Sequence, residues 1–82
     1  MEREIIFFEN PFIDFYKNQN EKVRSKIQYV FELIRQVERV PEKFLKYMEG
    51  TDGLFEVRVE YQSNVYRIFC CFDEGRLVVL FN

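Results

Sequence analysis

Three short runs rich in Val, Ile, Phe and Tyr, residues 53–61, 65–72 and 77–81, limit what this chain can fold into more than any other feature. They are separated only by the turn-forming groups Gln62-Ser63-Asn64 and Asp73-Glu74-Gly75. Runs of this length with breaks this short predict an antiparallel three-stranded meander. Strand side chains alternate between faces, so Phe55, Val57 and Val59 point one way and Glu56, Arg58 and Glu60 the other. On the next run Tyr66, Ile68, Cys70 and Phe72 share one face, and Val65, Arg67, Phe69 and Cys71 share the opposite one. Arg58 and Arg67 thus stand on central strands, where a charge needs a partner or an anionic ligand.

The remainder of the chain reads as what shapes and covers this sheet. Residues 5–8, Ile5-Ile6-Phe7-Phe8, are β-rich and too short for a helix, which predicts a first strand. Asn10-Pro11 marks a helix start, Asn10 as cap and Pro11 at the first helical position. Phe12, Phe15 and Tyr16 fall at helical spacing, so a short helix is expected to end near Asn18. Asn18 followed by Glu21 resembles a capping box. Val23, Ile27, Val30, Phe31, Ile34 and Val37 then form one apolar stripe at three- and four-residue steps, predicting a second helix that Pro41 ends. Residues 41–48 are expected to add a short helical turn, with Phe44, Leu45 and Met48 inward and Glu42 paired to Lys46. The 50–53 stretch is a turn. The order β-α-α-β-β-β describes one α+β domain spanning 1–82, a meander with a helical hairpin on one face. The final run reaches Phe81, one residue from the end. A chain normally leaves a sheet through a few polar residues, so the expectation is a domain shortened at its C-terminus.

Composition narrows the function classes. At 82 residues, 48% hydrophobic, the chain suits one modest core. A net charge of −2 argues against a freestanding nucleic-acid binder. The charge is uneven: between 17 and 39, Lys17, Lys22, Arg24, Lys26, Arg35 and Arg39 stand against Glu21, Glu32 and Glu38, for which a solvated helix face is the ordinary explanation. Cys70 and Cys71 are adjacent on one strand and point to opposite faces, which excludes an unstrained bridge between them and suits a reducing, cytoplasmic setting. The N-terminal apolar run is too short and too acidic at its flanks for a signal peptide or a membrane span.

The absence of histidine removes Ser-His and Cys-His catalysis in their usual form. No zinc-ligand cluster, glycine-rich phosphate loop or calcium-loop spacing is present, so no cofactor or metal is expected. What remains is Arg58 and Arg67, Tyr61 and Tyr66, and the carboxylates Glu56 and Glu60. Fixed arginines on a sheet can hold a phosphodiester and stabilise charge developing during its cleavage. Read without further context, the same residues are better explained as cross-strand ion pairs of Arg58 and Arg67 with Glu56 and Glu60, each worth well under ~1 kcal/mol if exposed. Tyrosines at strand ends more often bury their rings and keep the hydroxyl wet.

Taken together, several segments resemble the RelE/ParE superfamily of bacterial toxins, and within it the HigB-like, phage-derived-type group of type II toxin–antitoxin systems. The segments are Lys22-Val23-Arg24-Ser25-Lys26-Ile27, Lys43-Phe44-Leu45-Lys46-Tyr47-Met48-Glu49-Gly50, Gly53-Leu54-Phe55-Glu56-Val57-Arg58 and Val65-Tyr66-Arg67-Ile68-Phe69, in the β-α-α-β-β-β order that spans the chain. The resemblance implies a cytoplasmic endoribonuclease that cleaves messenger RNA on the ribosome, by metal-independent attack of the ribose 2′-hydroxyl on the adjacent phosphate. It also implies neutralisation by a cognate antitoxin, of helix-turn-helix type. Carried onto matching positions, Arg58 and Arg67 are the catalytic candidates, and Lys43, Lys46 and Tyr66 the RNA-binding ones. Glu56 is expected to tether a neighbouring basic group.

The departure from the group is at the end, where its members continue with a lysine- and threonine-rich stretch. Either the chain is truncated or it is a natural variant that has lost activity. Two other functions stay open: a ParE-like inhibitor of DNA gyrase, and a non-catalytic module that forms a homodimer through an exposed sheet edge.

Overall fold

A computed structural model describes residues 2–7 and 10–81. The three apolar runs form β3 (Leu54–Tyr61), β4 (Asn64–Asp73) and β5 (Arg76–Phe81), each antiparallel to the next, as the meander reading requires. The β4–β5 turn holds both of its central residues at positive φ, Glu74 at 52° and Gly75 at 82°, the twist that a two-residue hairpin loop needs. β1 (Ile5–Phe7) lies parallel to β5, with Ile5 opposite Leu77. The sheet order is β1-β5-β4-β3-β2. Phe8, expected in β1, lies outside the described residues, and so does the capping role assigned to Asn10.

The fifth strand, β2 (Leu45–Tyr47), corrects the expected helical turn at 41–48. One turn does form, with the N–H groups of Phe44 and Leu45 donating to the Pro41 carbonyl at 2.9 and 3.1 Å. The chain then extends because β3 offers an unpaired edge. Arg58 N–H donates to the Phe44 carbonyl at 2.9 Å, and Leu45 pairs with Val57. Tertiary pairing overrides a local spacing that fitted a helix equally well. Lys46 consequently stands opposite Glu56, and among the described residues it makes no ion pair with Glu42.

Helices α1 (Asn10–Lys17) and α2 (Glu21–Gln36) cover one face of the sheet. The cap of α2 is Asn20, not Asn18: Asn20 Oδ1 accepts from Val23 N–H at 2.9 Å. Asn18 instead turns back to close α1, donating through Nδ2 to the Asp14 carbonyl at 2.9 Å. The helix stops at Gln36, five residues before Pro41. Val37 is extended, at φ −93° and ψ 128°, and is exposed rather than part of the buried stripe. A residue far away in sequence fixes this end. The Arg3 guanidinium donates to the carbonyls of Ile34, Val37 and Glu38, satisfying acceptors that a helix C-terminus leaves open. Val23, Ile27, Val30, Phe31 and Ile34 pack on Val57, Val59, Ile68, Cys70, Leu77 and Val79, and the core contains no buried polar residue among those described.

Candidate functional site

Alternation along β3 and β4 sends Glu56, Arg58, Glu60 and Arg67 to the face that the helices leave uncovered. Arg58 and Arg67 are direct cross-strand partners. Like charges set opposite each other repel, so this position requires a counter-charge. Glu56 supplies it to both. Its Oε1 lies 3.2 Å from Arg58 Nε and its Oε2 lies 3.5 Å from Arg67 Nε, with the Glu56 side chain only 14% exposed. The arginines are therefore side by side and both paired to Glu56, as the ion-pair reading of these residues expects, with Glu56 alone rather than Glu56 and Glu60 as the partner. Glu60 has no basic group within 4 Å among the described residues.

One carboxylate between two guanidiniums leaves the cluster one positive charge in excess. The pairing is also incomplete in geometry. Arg58 Nε is buried without a hydrogen-bond acceptor among the described residues, because its close contact to Glu56 lies off the N–H direction. A buried donor left in this state favours any acceptor that can reach it. Arg67 is the more accessible of the two, its side chain 51% exposed against 27% for Arg58.

The remaining candidates divide. Lys46 joins the cluster, its register partner being Glu56, and the two line a shallow depression with Tyr47, Met48 and Glu49. Lys43 and Arg58 both line a groove between α2 and the end of β3 that lies beyond its pairing with β2. Tyr66 is not part of either grouping. It lies opposite Val59 on the helix-covered face, half-buried, with its ring 6.0 Å from Phe15. Lys26 and Tyr29 of α2 line the Lys43 groove. Lys26 belongs to the basic stretch visible in the sequence, but only the packing of α2 on β3 shows which of those cations meets the strand edge.

The other half of the uncovered face is more apolar, with Asp73 and Arg76 as its charged residues. Ile6, Cys71, Val78 and Leu80 line a depression there, and a bulge at Phe69/Cys70 lets the Phe81 ring pack 5.0 Å from Phe69. Cys70 points the opposite way, into the core, where burial and then the neighbouring Cys71 push its thiol up to about 12. A thiol so reluctant to ionise is no nucleophile at neutral pH. Among the described residues no group of three or more His, Cys, Asp or Glu could hold a metal ion, and no helix is long and apolar enough to cross a membrane.

The geometry sets two cations opposite each other on an open sheet face, in a chain with no histidine to relay protons and, among the described residues, no metal-ligand set. No curated protein and no solved structure matches the chain. Residues 14–82 match the family model described as phage derived protein Gp49-like, which covers the second helix, the whole meander and both arginines. The chain belongs to this Gp49-like family of phage-derived proteins, a RelE-like toxin family of toxin–antitoxin systems.

Proposed function

We propose that the chain is a HigB-like toxin that cleaves messenger RNA on the ribosome, with Arg58 and Arg67 as its catalytic pair. The observation that carries this reading is the cross-strand placement of the two arginines on the uncovered face, incompletely satisfied by a single shared carboxylate. A phosphodiester can take the place of Glu56 as the anion between the two guanidiniums. In the reaction the ribose 2′-hydroxyl gives up its proton to water as its oxygen bonds to phosphorus, the bond to the 5′-oxygen breaks to leave a 2′,3′-cyclic phosphate, and the departing 5′-oxygen takes a proton from water. Charge on the phosphoryl oxygens rises in the transition state, where fixed guanidiniums stabilise it more than they do the ground state. Arg67, the more exposed, meets that charge directly. Arg58 anchors the phosphate, and Lys46 adds positive potential along the approach. Family membership supports a cognate antitoxin as the protein partner, and we assign it the helix-turn-helix type and the toxin a cytoplasmic site of action.

The test is cleavage of a ribosome-bound messenger by the wild type and by Arg67→Ala. Loss of about 10²–10³-fold in rate is expected, the scale for removing one transition-state donor. Equal rates remove Arg67 from the mechanism. Inhibition of gyrase supercoiling without RNA cleavage would replace this function with the ParE-like one. The more apolar half of the same face favours a second reading, a non-catalytic module that pairs with itself. Light scattering decides that one, a strict monomer at high concentration counting against it.

A further inference from the structure

The groove between α2, the 41–44 turn and the end of β3 beyond its pairing with β2 is unlike the rest of the surface. It encloses about 360 Å³, near the lower end of the ~300–1,000 Å³ typical of small-ligand sites. Lys26, Lys43 and Arg58 converge on it against the single carboxylate of Glu60, in a chain whose net charge is −2. Among the described residues neither lysine has a carboxylate within 4 Å. Two lysines without a close counter-charge, beside Arg58 and its partner Glu56, give the groove a positive potential that attracts an anion.

The aromatic lining points to which anion. Tyr29 is 54% exposed, although it sits on a helix whose other large apolar side chains are mostly buried. Lys26 Nζ lies 5.2 Å from the centre of its ring, and Lys43 Nζ lies 5.1 Å from that of Phe44. The groove thus holds two aromatic rings, each with a lysine over one face; Tyr29 is the exposed one, while Phe44 packs partly against the core. That combination binds single-stranded nucleic acid, bases stacking on rings while lysines take the backbone. A bare phosphate would leave the rings unused and would be repelled by Glu60. A nucleotide uses both, and the groove also carries the Glu60 carboxylate, which can accept from a ribose hydroxyl, and the Gln62 amide, which can pair with a base edge. Arg58 connects the groove to the cluster on the open face, since it lines the one and bridges Glu56 in the other.

We propose that this groove is a subsite for one nucleotide of single-stranded RNA, adjacent to the phosphate held by Arg58 and Arg67. Its placement next to a scissile phosphate rests on the nuclease reading above; its ability to bind RNA does not.

The two are separated by measuring binding without ribosomes, using fluorescence anisotropy of a labelled RNA hexanucleotide across a salt series. The double variant Lys26→Ala/Lys43→Ala is expected to bind about tenfold more weakly at low salt. Its slope of log affinity against log salt should be shallower by about 1.4, two phosphate contacts at ~0.7 each. Tyr29→Ala is expected to weaken binding about tenfold with the slope unchanged, as loss of stacking does. Lys43→Arg, which keeps the charge, should retain the wild-type slope and shows that the effect is not misfolding. Wild-type affinity and slope in the double lysine variant would overturn the subsite. Equal affinity for the DNA hexamer would remove the ribose contact of Glu60. Lysine-dependent RNA binding by a protein that cleaves nothing on the ribosome would leave the subsite standing and sink the nuclease instead.

Discussion

The two faces of the sheet are built from the same strands and differ in almost everything else. On the covered face Val57, Val59, Ile68, Cys70, Leu77 and Val79 meet α1 and α2 with at most 1% of their surface exposed. One residue away along the same backbone, Glu56, Arg58, Arg67 and Val78 look outward. The difference shows that a two-residue period lets one sheet hold stability and surface chemistry in alternate positions, so that neighbouring substitutions have unrelated consequences. The strongest way to break this comparison is to truncate one residue from each face. Ile68→Ala should cost about 3 kcal/mol, since it empties a fully buried site between β4 and the helices. Val78→Ala, on the open face, should cost under ~1 kcal/mol. Urea unfolding midpoints measure both. A Val78 penalty equal to that of Ile68 would show that the open face is covered in solution.

The adjacent thiols sharpen the same contrast. Cys70 is held protonated up to about 12 by its burial, whereas in the unfolded chain the thiol ionises near its ordinary value of 9.0. Folding therefore gains full benefit from this group below pH 9 and loses it as pH rises from there through about 12. The loss is at most ~1.4 kcal/mol per pH unit in that window, because the unfolded state is the one that sheds its proton. Unfolding measured at pH 8 and pH 10 should show the drop, and Cys70→Val should flatten it. A thiol reagent at neutral pH should modify Cys71, which is half-buried on the open face, while leaving Cys70 untouched until the protein unfolds.

Much of this architecture could be read from local periodicity. The meander and its two faces follow from alternation, and α2 follows from its apolar stripe. Alternation even places Tyr66 with Ile68 and away from Arg67, so its grouping with the arginines rested on resemblance rather than on the strand. What could not be read depends on partners distant in the chain. β2 is a strand because of the unpaired edge of β3. The end of α2 is set by Arg3. The sharing of Glu56 by two arginines requires the β3–β4 register. The cap of α2 failed for a different reason, since Asn18 and Asn20 are both good capping residues and differ only in how α1 ends. Asn20→Ala should cost about 1 kcal/mol and Asn18→Ala less than half of that, read from thermal or urea unfolding. Because α2 covers the sheet, a larger Asn18 penalty would mean that the cap is Asn18 after all.

The smallest expected change in stability is the one that tests the open face most closely. Arg67→Ala removes a side chain that is half-exposed and contacts Glu56 only at 3.5 Å, while Glu56 keeps its nearer partner Arg58. The lost ion pair is partly screened by solvent, and the like-charge repulsion between Arg58 and Arg67 disappears with it. These terms oppose each other, so the unfolding midpoint should shift by less than ~0.5 kcal/mol in equivalent stability. If Arg67 were there to hold the sheet together, its removal would cost as much as a cross-strand core contact. Stability unchanged while cleavage collapses is the result that assigns Arg67 to the substrate rather than to the fold.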